Sequence, residues 1–483
     1  SLHGRVLLIQ HEANEYSGEK SAEILLEAKD NIQHSLNLNP DYILATLTLG
    51  VINAWEGNNS EANKLFHKAV VMDPNYLQSR VTWAEFLETI RDYNGAIVQA
   101  EAALFLDPYS VMALNNLARL YQKNNQLDDY DDTMKKINLA ILGSGFMSKV
   151  YLNAAESLKH YYPDSPNVKV SSLLVSDRKT NDEITEIKNR YKIDNITSNY
   201  QDIINDSNID AIYIATPNDI HYEQVCLAIK NGKHVLCEKP MSMTIEESHE
   251  MLNLAKQNPN IITNMVFEYR YIPAISKIKK IIDSEKIGEI IQFRAFYLHG
   301  SYINERPLTW RLKKGTGGAL VDLGPHLLDL IAYLIGDVKI SHLKTAKKMS
   351  NREVDDIAWI LCKAKNADGT IEVSRVSNGS VDELRLEIHG TKGAIKWNLE
   401  ELNYFHLFLN ESNASGYKKI PCFTDENDNS DFPPPKVTSG WLNAHTHCLY
   451  HFVKEINDKH YKNIAIAKFS DGFKVQKLLN KNL

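Results

Sequence analysis

Ile137-Asn-Leu-Ala-Ile-Leu142-Gly143-Ser-Gly145-Phe146-Met147-Ser148 decides how the central part of this chain folds. A short, mostly apolar run meets two glycines and then a stretch of helical character, which reads as strand, tight turn and helix. The first glycine permits the turn, and the second lets a pyrophosphate come close to the amides opening the helix. Ser148 holds the third small position of the G-x-G-x-x-G pattern, where helix and strand pack together. Alone the pattern is weak; lying between a strand and a helix gives it weight. It makes Gly143, Gly145, Phe146 and Met147 candidate cofactor contacts.

Strand and helix continue to alternate downstream. Val168–Val175 reads as a second strand ending in Ser176-Asp177-Arg178. A carboxylate at Asp177 would accept from a ribose diol and repel a 2′-phosphate, favouring NAD, whereas Arg178 and Lys179 leave NADP open. Ile209–Ala215 is a third strand, ending in Thr216-Pro217-Asn218 with His221 just after it. His234–Cys237 is another, ending in Glu238-Lys239-Pro240. Polar residues at the carboxyl ends of successive parallel strands are where an open α/β sheet takes its ligand. An ammonium there, Lys239, would stabilise a developing alkoxide.

Further along, Gly315-Thr-Gly-Gly-Ala-Leu-Val-Asp322-Leu-Gly-Pro-His326-Leu-Leu-Asp329-Leu330 is a glycine cluster running into an apolar helix. Asp322, His326 and Asp329 stand at i, i+4 and i+7 and share one face. A carboxylate one turn from a histidine fixes its tautomer, as a general acid/base needs. The same letters also suit a helix cap and an ordinary buried histidine. A metal site built from these residues with His445 and His447 is not expected, because Lys239 would oppose a cation.

The first 133 residues carry a different signal. Asn39-Pro40, Asp73-Pro74 and Asp107-Pro108 recur at a spacing of 34 residues, the period of paired-helix repeats. Leu49, Gly50, Ala62, Phe66 and Ala69 mark one unit, and Trp83, Ala84, Ala96 and Ala103 the next. Leu117, Ala118 and Tyr121 begin a fourth unit that stops after one helix. Small residues let helices approach, and proline closes the second helix of each pair. The segment resembles the tetratricopeptide repeat family, which implies a protein-binding or self-association platform. An acidic linker at 128–133 separates it from the rest.

The composition is that of a folded globular chain. Of 483 residues, 43% are hydrophobic and 24% charged, too long a chain for one core. A formal charge of −7 without a basic run speaks against nucleic acid and anionic membranes as partners. Five cysteines, never in a C-x-x-C pair, fit neither a disulfide framework nor a zinc knuckle. With no signal-peptide pattern and no long apolar run, the expected location is cytoplasmic.

Residues 135–483 resemble the glucose–fructose oxidoreductase/inositol dehydrogenase (Gfo/Idh/MocA) family. The resemblance rests on Gly143-Ser-Gly145, Ala215-Thr-Pro-Asn218 with His221, Glu238-Lys-Pro240, Tyr269-Arg270-Tyr271 with Pro273, Ile287-Gly288-Glu289, Gly317 to Asp329, and His389-Gly-Thr-Lys-Gly393. It implies a Rossmann-type doubly wound parallel sheet over 134–265, then an α+β domain over 266–483. That second domain carries a large, open, mostly antiparallel sheet that would serve a homodimer or tetramer. Ile290–Leu298, Asp356–Lys363, Gly369–Ser377, Leu384–Gly390 and Gly393–Asn398 read as its strands, with a turn at Ala367-Asp-Gly369; Trp441–Ile456 and Ser470–Leu479 read as helices packing back. A long loop spans 412–439.

The resemblance further implies a catalytic trio of Lys239, Asp322 and His326. His326 would take the hydroxyl proton, Asp322 would hold its ring, and Lys239 would supply positive charge. Asn218 and His221 would line the nicotinamide end, and Arg270, Trp310 and Arg311 the substrate side. Serine at 148 and Glu268 depart from the usual pattern. The reaction expected is hydride exchange between nicotinamide and a secondary alcohol of a sugar, cyclitol or nucleotide-linked sugar. The alternative is a repeat scaffold whose second part only senses NAD(H) or a sugar; a third reading is an aldehyde, imine or biliverdin-type reductase.

Overall fold

The computed structural model describes residues 19–107, 110–123, 136–162, 164–304, 309–313, 315–350, 352–410, 416–423 and 437–480. The chain divides into two compact units, Ser1–Met134 and Lys135–Leu483.

The first unit is helical: α1 (Glu19–Leu38), α2 (Ile43–Trp55), α3 (Asn59–Met72), α4 (Leu77–Thr89), α5 (Tyr93–Leu106) and α6 (Val111–Lys123). Helix α1 stops before Asn39-Pro40 and α3 before Asp73-Pro74, as expected where proline cannot supply an amide to the next turn. Pro108 and the acidic linker lie outside the described residues. Ala62, Phe66, Ala69, Ala84, Ala96 and Ala103 are buried, so the recurring small side chains are the ones between packed helices.

The second unit opens with β1 (Ile137–Leu142), α7 (Phe146–Tyr161), β2 (Val168–Leu174), α8 (Asn181–Tyr191), β3 (Asn195–Thr197), α9 (Tyr200–Ile204), β4 (Ala211–Ile214), α10 (His221–Lys230), β5 (His234–Cys237), α11 (Ile245–Gln257) and β6 (Thr263–Met265). The strands form one parallel sheet in the order β3-β2-β1-β4-β5-β6. All four residues of β4 are buried, the uninterrupted apolar run of a strand covered on both faces. The winding direction reverses between β1 and β4, so their carboxyl ends flank the crevice in which such a sheet binds.

After α12 (Pro273–Asp283) and β7 (Ile290–Leu298), α13 (Ala319–Leu334) leads into β8 (Val338–Ala346), β9 (Ile357–Ala364), β10 (Ala367–Ser374), β11 (Glu383–Gly390), β12 (Gly393–Asn398), β13 (Tyr404–Leu409) and β14 (Lys418–Pro421). With β7 these make an eight-stranded sheet ordered β14-β13-β12-β11-β7-β10-β9-β8. The β7–β10 pair is parallel and the others antiparallel. Strand β9 alternates buried Ala358, Ile360 and Cys362 with exposed Trp359 and Leu361, so one sheet face is covered and the other bare. Helix α13 packs against β7, β9 and β10.

The turn expected at Ala367-Asp-Gly369 falls instead on Lys365-Asn366, with Lys365 left-handed at φ 51°, and Ala367 already pairs with Ala364. Strands β8, β13 and β14 have no counterpart in the sequence reading, because they are edge or near-edge strands with mixed polarity. Two helices close the fold, α14 (Trp441–Asn457) and α15 (Phe469–Asn480). Helix α14 lies against α7, where the Tyr162 and Tyr450 rings stack at 3.5 Å.

Candidate active site

Strand β1 delivers Gly143 with φ +103°, where a Cβ would sit 2.7 Å from the Ala215 carbonyl. Only glycine accepts both the conformation and the contact. Gly145 caps α7, and nothing crowds the space where its Cβ would point. The N-terminus of α7 therefore faces open space, as a pyrophosphate cradle requires. Ser148, one turn in, is buried. Phe146 is exposed and stacks on Trp441 at 6.0 Å. Beyond β2, the exposed Asp177 accepts from its neighbour Ser176. An open helix start with an acid past the next strand fits a dinucleotide, which Gly143, Gly145 and Asp177 would hold.

Beyond β4, Thr216 donates to Gln224 at 2.6 Å, and the Asn218 amide donates to the Thr316 carbonyl at 3.2 Å. His221 differs from expectation. It is fully buried, its Nδ1 and Nε2 lying 3.0 and 3.1 Å from the carbonyls of Pro240 and Thr216. Burial lowers its pKa, so the neutral ring carries one N–H and donates to only one of these carbonyls, in the loop after β5 or the loop after β4, and it is enclosed by protein.

Beyond β5, the Glu238 carboxylate is buried and accepts from the Tyr213 hydroxyl at 2.8 Å. Lys239 follows, ahead of a cis peptide to Pro240. Its Nζ donates to the Asp322 carbonyl at 3.0 Å and stands 3.6 Å from that residue's carboxylate. Burial lowers the Lys239 pKa to about 8, against the pull of Glu238 and Glu268.

The first turn of α13 is placed by Gly317, where a Cβ would collide with the Arg311 carbonyl at 1.8 Å. Asp322 accepts from Arg375, just past β10. It makes no hydrogen bond to His326, contrary to the expectation that it holds that ring. The charged guanidinium and ammonium claim the carboxylate ahead of a neutral imidazole. The carboxylate beside His326 is Glu268, with Oε1 3.5 Å from Nδ1. His326 also meets the Tyr269 and Tyr297 rings edge-on at 5.1 and 5.8 Å. Burial holds the imidazole pKa well below its usual range, helped by Lys239 and His445. Burial also raises Glu268, to about 8, with Glu238 adding to it.

Asp329 shares the direction of Asp322 but stands about 10 Å further along the helix axis. There it meets Arg270, whose Nε and Nη2 donate to its two oxygens at 2.8 and 2.5 Å. Both side chains are buried, so Arg270 is engaged within the protein and does not offer its guanidinium to a substrate. Arg311 stands over the Trp310 ring at 4.2 Å and acts electrostatically on Glu238, Lys239 and Arg375. Arg375, Tyr297 and His445 belong to the site without having been foreseen. Arg375 lay inside an anticipated strand, and His445 carried no signal beyond its proximity to His447.

Two family descriptions match the second unit: an oxidoreductase family NAD-binding Rossmann fold over 137–265, and a GFO/IDH/MocA C-terminal domain over 275–396. Levoglucosan dehydrogenase of Pseudarthrobacter phenanthrenivorans is 32% identical over 295 residues, 55% of this chain and 75% of that protein. Glucose-6-phosphate 3-dehydrogenase of Bacillus subtilis is 26% identical over 358 residues, 72% of this chain and 95% of that protein. A solved levoglucosan dehydrogenase in complex with NADH and L-sorbose superposes with a TM-score of 0.67 at 27% identity, covering 72% of this chain and 95% of that one. The chain belongs to the Gfo/Idh/MocA oxidoreductase family and is an NAD-binding dehydrogenase or reductase acting on CH–OH groups.

Proposed function

We propose that the chain interconverts a secondary alcohol of a sugar, cyclitol or nucleotide-linked sugar with the corresponding ketone, using His326 as general acid/base. The observation that carries this reading is the junction at the crevice. The ammonium of Lys239 from β5 is bonded to the Asp322 carbonyl at 3.0 Å, one turn before His326 on α13. When bound, NAD accepts or returns the hydride. His326 exchanges the proton of the reacting hydroxyl, Lys239 stabilises charge on that oxygen, and Asp322 keeps Lys239 and Arg375 in place. Trp310 and Arg311 supply the substrate side. The names of two relatives, a levoglucosan dehydrogenase and a glucose-6-phosphate 3-dehydrogenase, support a sugar as substrate. The test is the absorbance of reduced nicotinamide with NAD or NADP against levoglucosan, glucose 6-phosphate, inositols and UDP-sugars. A rise with one class supports the reading. NADH binding without turnover across the panel would favour the sensor alternative.

The helical unit serves, in this reading, as a tetratricopeptide platform for a protein partner or for self-association. The 34-residue spacing supports this, as do Val98 and Phe105, which stand 57% and 88% exposed on α5. Val98→Glu with Phe105→Glu would lower the mass seen by light scattering if self-association uses this helix. An unchanged mass assigns the helix to another partner or to none.

A further inference from the structure

The carboxylates of this site, all buried or half-buried, have distinct partners. Asp322 takes Arg375 and Lys239, Asp329 takes Arg270, and Glu238 takes the Tyr213 hydroxyl. Glu268 takes none of these. Its Oε1 lies 3.5 Å from His326 Nδ1, and neither its Oε2 nor that Nδ1 has a protein hydrogen bond. Both side chains are more than nine-tenths buried. Catalytic hydrogen bonds are often long before substrate binds, so this separation suits a contact that tightens in the complex.

We propose that Glu268 and His326 work as one proton-holding pair, with Nε2 of His326 facing the substrate oxygen and Glu268 exchanging a proton with Nδ1. The proposal rests on His326 being the acid/base. In the oxidative direction the pair starts with Glu268 ionised and a neutral imidazole carrying hydrogen on Nδ1. The carbon–hydrogen electron pair leaves as hydride to the nicotinamide, and the hydroxyl proton passes to Nε2. The Nδ1 proton then passes to Glu268, and the carbon–oxygen bond becomes double. The pair ends as a neutral carboxyl and a neutral imidazole with hydrogen on Nε2; reduction runs the same steps backwards.

The surroundings give the pair its reason. A lasting imidazolium would lie buried beside Lys239, with His445 facing it from α14 and the Tyr269 and Tyr297 rings on its other sides. Handing the proton on leaves no net charge on either member. Around Glu268, Glu238 and Asp329 oppose a carboxylate while Lys239 favours it, and burial brings the balance to about 8. The 3.5 Å separation is what would let one proton pass between the two groups.

The experiment is infrared difference spectroscopy of the full chain without ligand across a pH titration, on the wild type, Glu268→Gln, Glu268→Asp and His326→Gln. Turnover of the sugar found in the panel and the Kd for NADH are measured alongside. The wild type is expected to show a carboxylic acid carbonyl stretch that fades as pH rises through about 8. Glu268→Gln should lack that band, lose about 100-fold in kcat, and bind NADH within about threefold of wild type. Glu268→Asp should keep the band and recover about tenfold of the loss. A Glu268→Gln protein with an unchanged band and an unchanged pH profile overturns the pair. If His326→Gln turns over like wild type, it is the acid/base reading that falls; if His326→Gln is inactive while Glu268→Gln behaves as wild type, only the pair falls.

Discussion

Lys239 Nζ donates to the main-chain carbonyl of Asp322 at 3.0 Å, which ties the end of β5 to the first turn of α13. Residues 83 positions apart thereby hold an ammonium and an imidazole at one crevice. Lys239→Met keeps an unbranched stem one atom shorter and removes the charge, so kcat should fall by about 100-fold or more while NADH binds nearly as before. Steady-state kinetics with a fluorescence titration of NADH separates the two effects; a change confined to KM would contradict the assigned role.

The Arg270–Asp329 pair leads to the opposite expectation. Arg270→Ala leaves a buried carboxylate without its partner and should cost about 3–5 kcal/mol of stability. The fraction that stays folded should retain wild-type KM for the sugar. Denaturant midpoints and kinetics at low temperature check both, and a raised KM at unchanged stability would return Arg270 to the substrate side.

The pH dependence follows from Lys239 and Glu268: burial lowers the one and raises the other, each to about 8, against their mutual attraction. Ketone reduction needs Lys239 charged and the Glu268–His326 pair carrying its extra proton. Both conditions hold below about 8, so kcat/KM for reduction should fall as pH rises through that value. Oxidation needs Lys239 charged but the pair short of that proton, giving a bell centred near the same pH. Glu268→Gln should lose the rising limb of that bell. Retention of the limb would assign it to another group.

Asp177 governs the choice of cofactor in this account. Asp177→Ala removes the carboxylate that repels a 2′-phosphate and leaves Arg178 and Lys179 in place. The KM ratio of NADP to NAD should drop by about tenfold or more. A ratio that does not move would remove Asp177 from the ribose site.

Four strands of the parallel sheet, β1, β2, β4 and β5, were legible as short apolar runs that each lead into small or polar residues at the crevice; β3 and β6 were not, because each has three residues and β3 is partly exposed. Gly143 carried its meaning in local spacing, whereas the spacing around His326 suited an ordinary buried histidine as well, and the roles expected of Lys239 and His326 came from the family resemblance. Helical spacing put Asp322, His326 and Asp329 on one face, yet could not say which partner each would meet. Arg375 reaches Asp322 across 53 positions, Arg270 reaches Asp329 across 59, and neither encounter leaves a periodic trace in the chain. His221 shows the same limit: its place beside a binding edge did not say that the ring would be enclosed between the Pro240 and Thr216 carbonyls. Glu268 looked like a departure from pattern until the fold placed it 3.5 Å from His326.

The most direct measurement is a single-turnover experiment on His326→Ala and wild type, each saturated with NAD and mixed with the sugar that turns over in the panel. Reduced nicotinamide absorbance reports the chemical step, and quenching of protein fluorescence reports NADH binding. The account predicts wild-type NADH affinity in the variant with the absorbance rise slowed by about 100-fold or more. A rise at the wild-type rate would show that the proton leaves by another group and that His326 is a buried histidine with no part in the reaction.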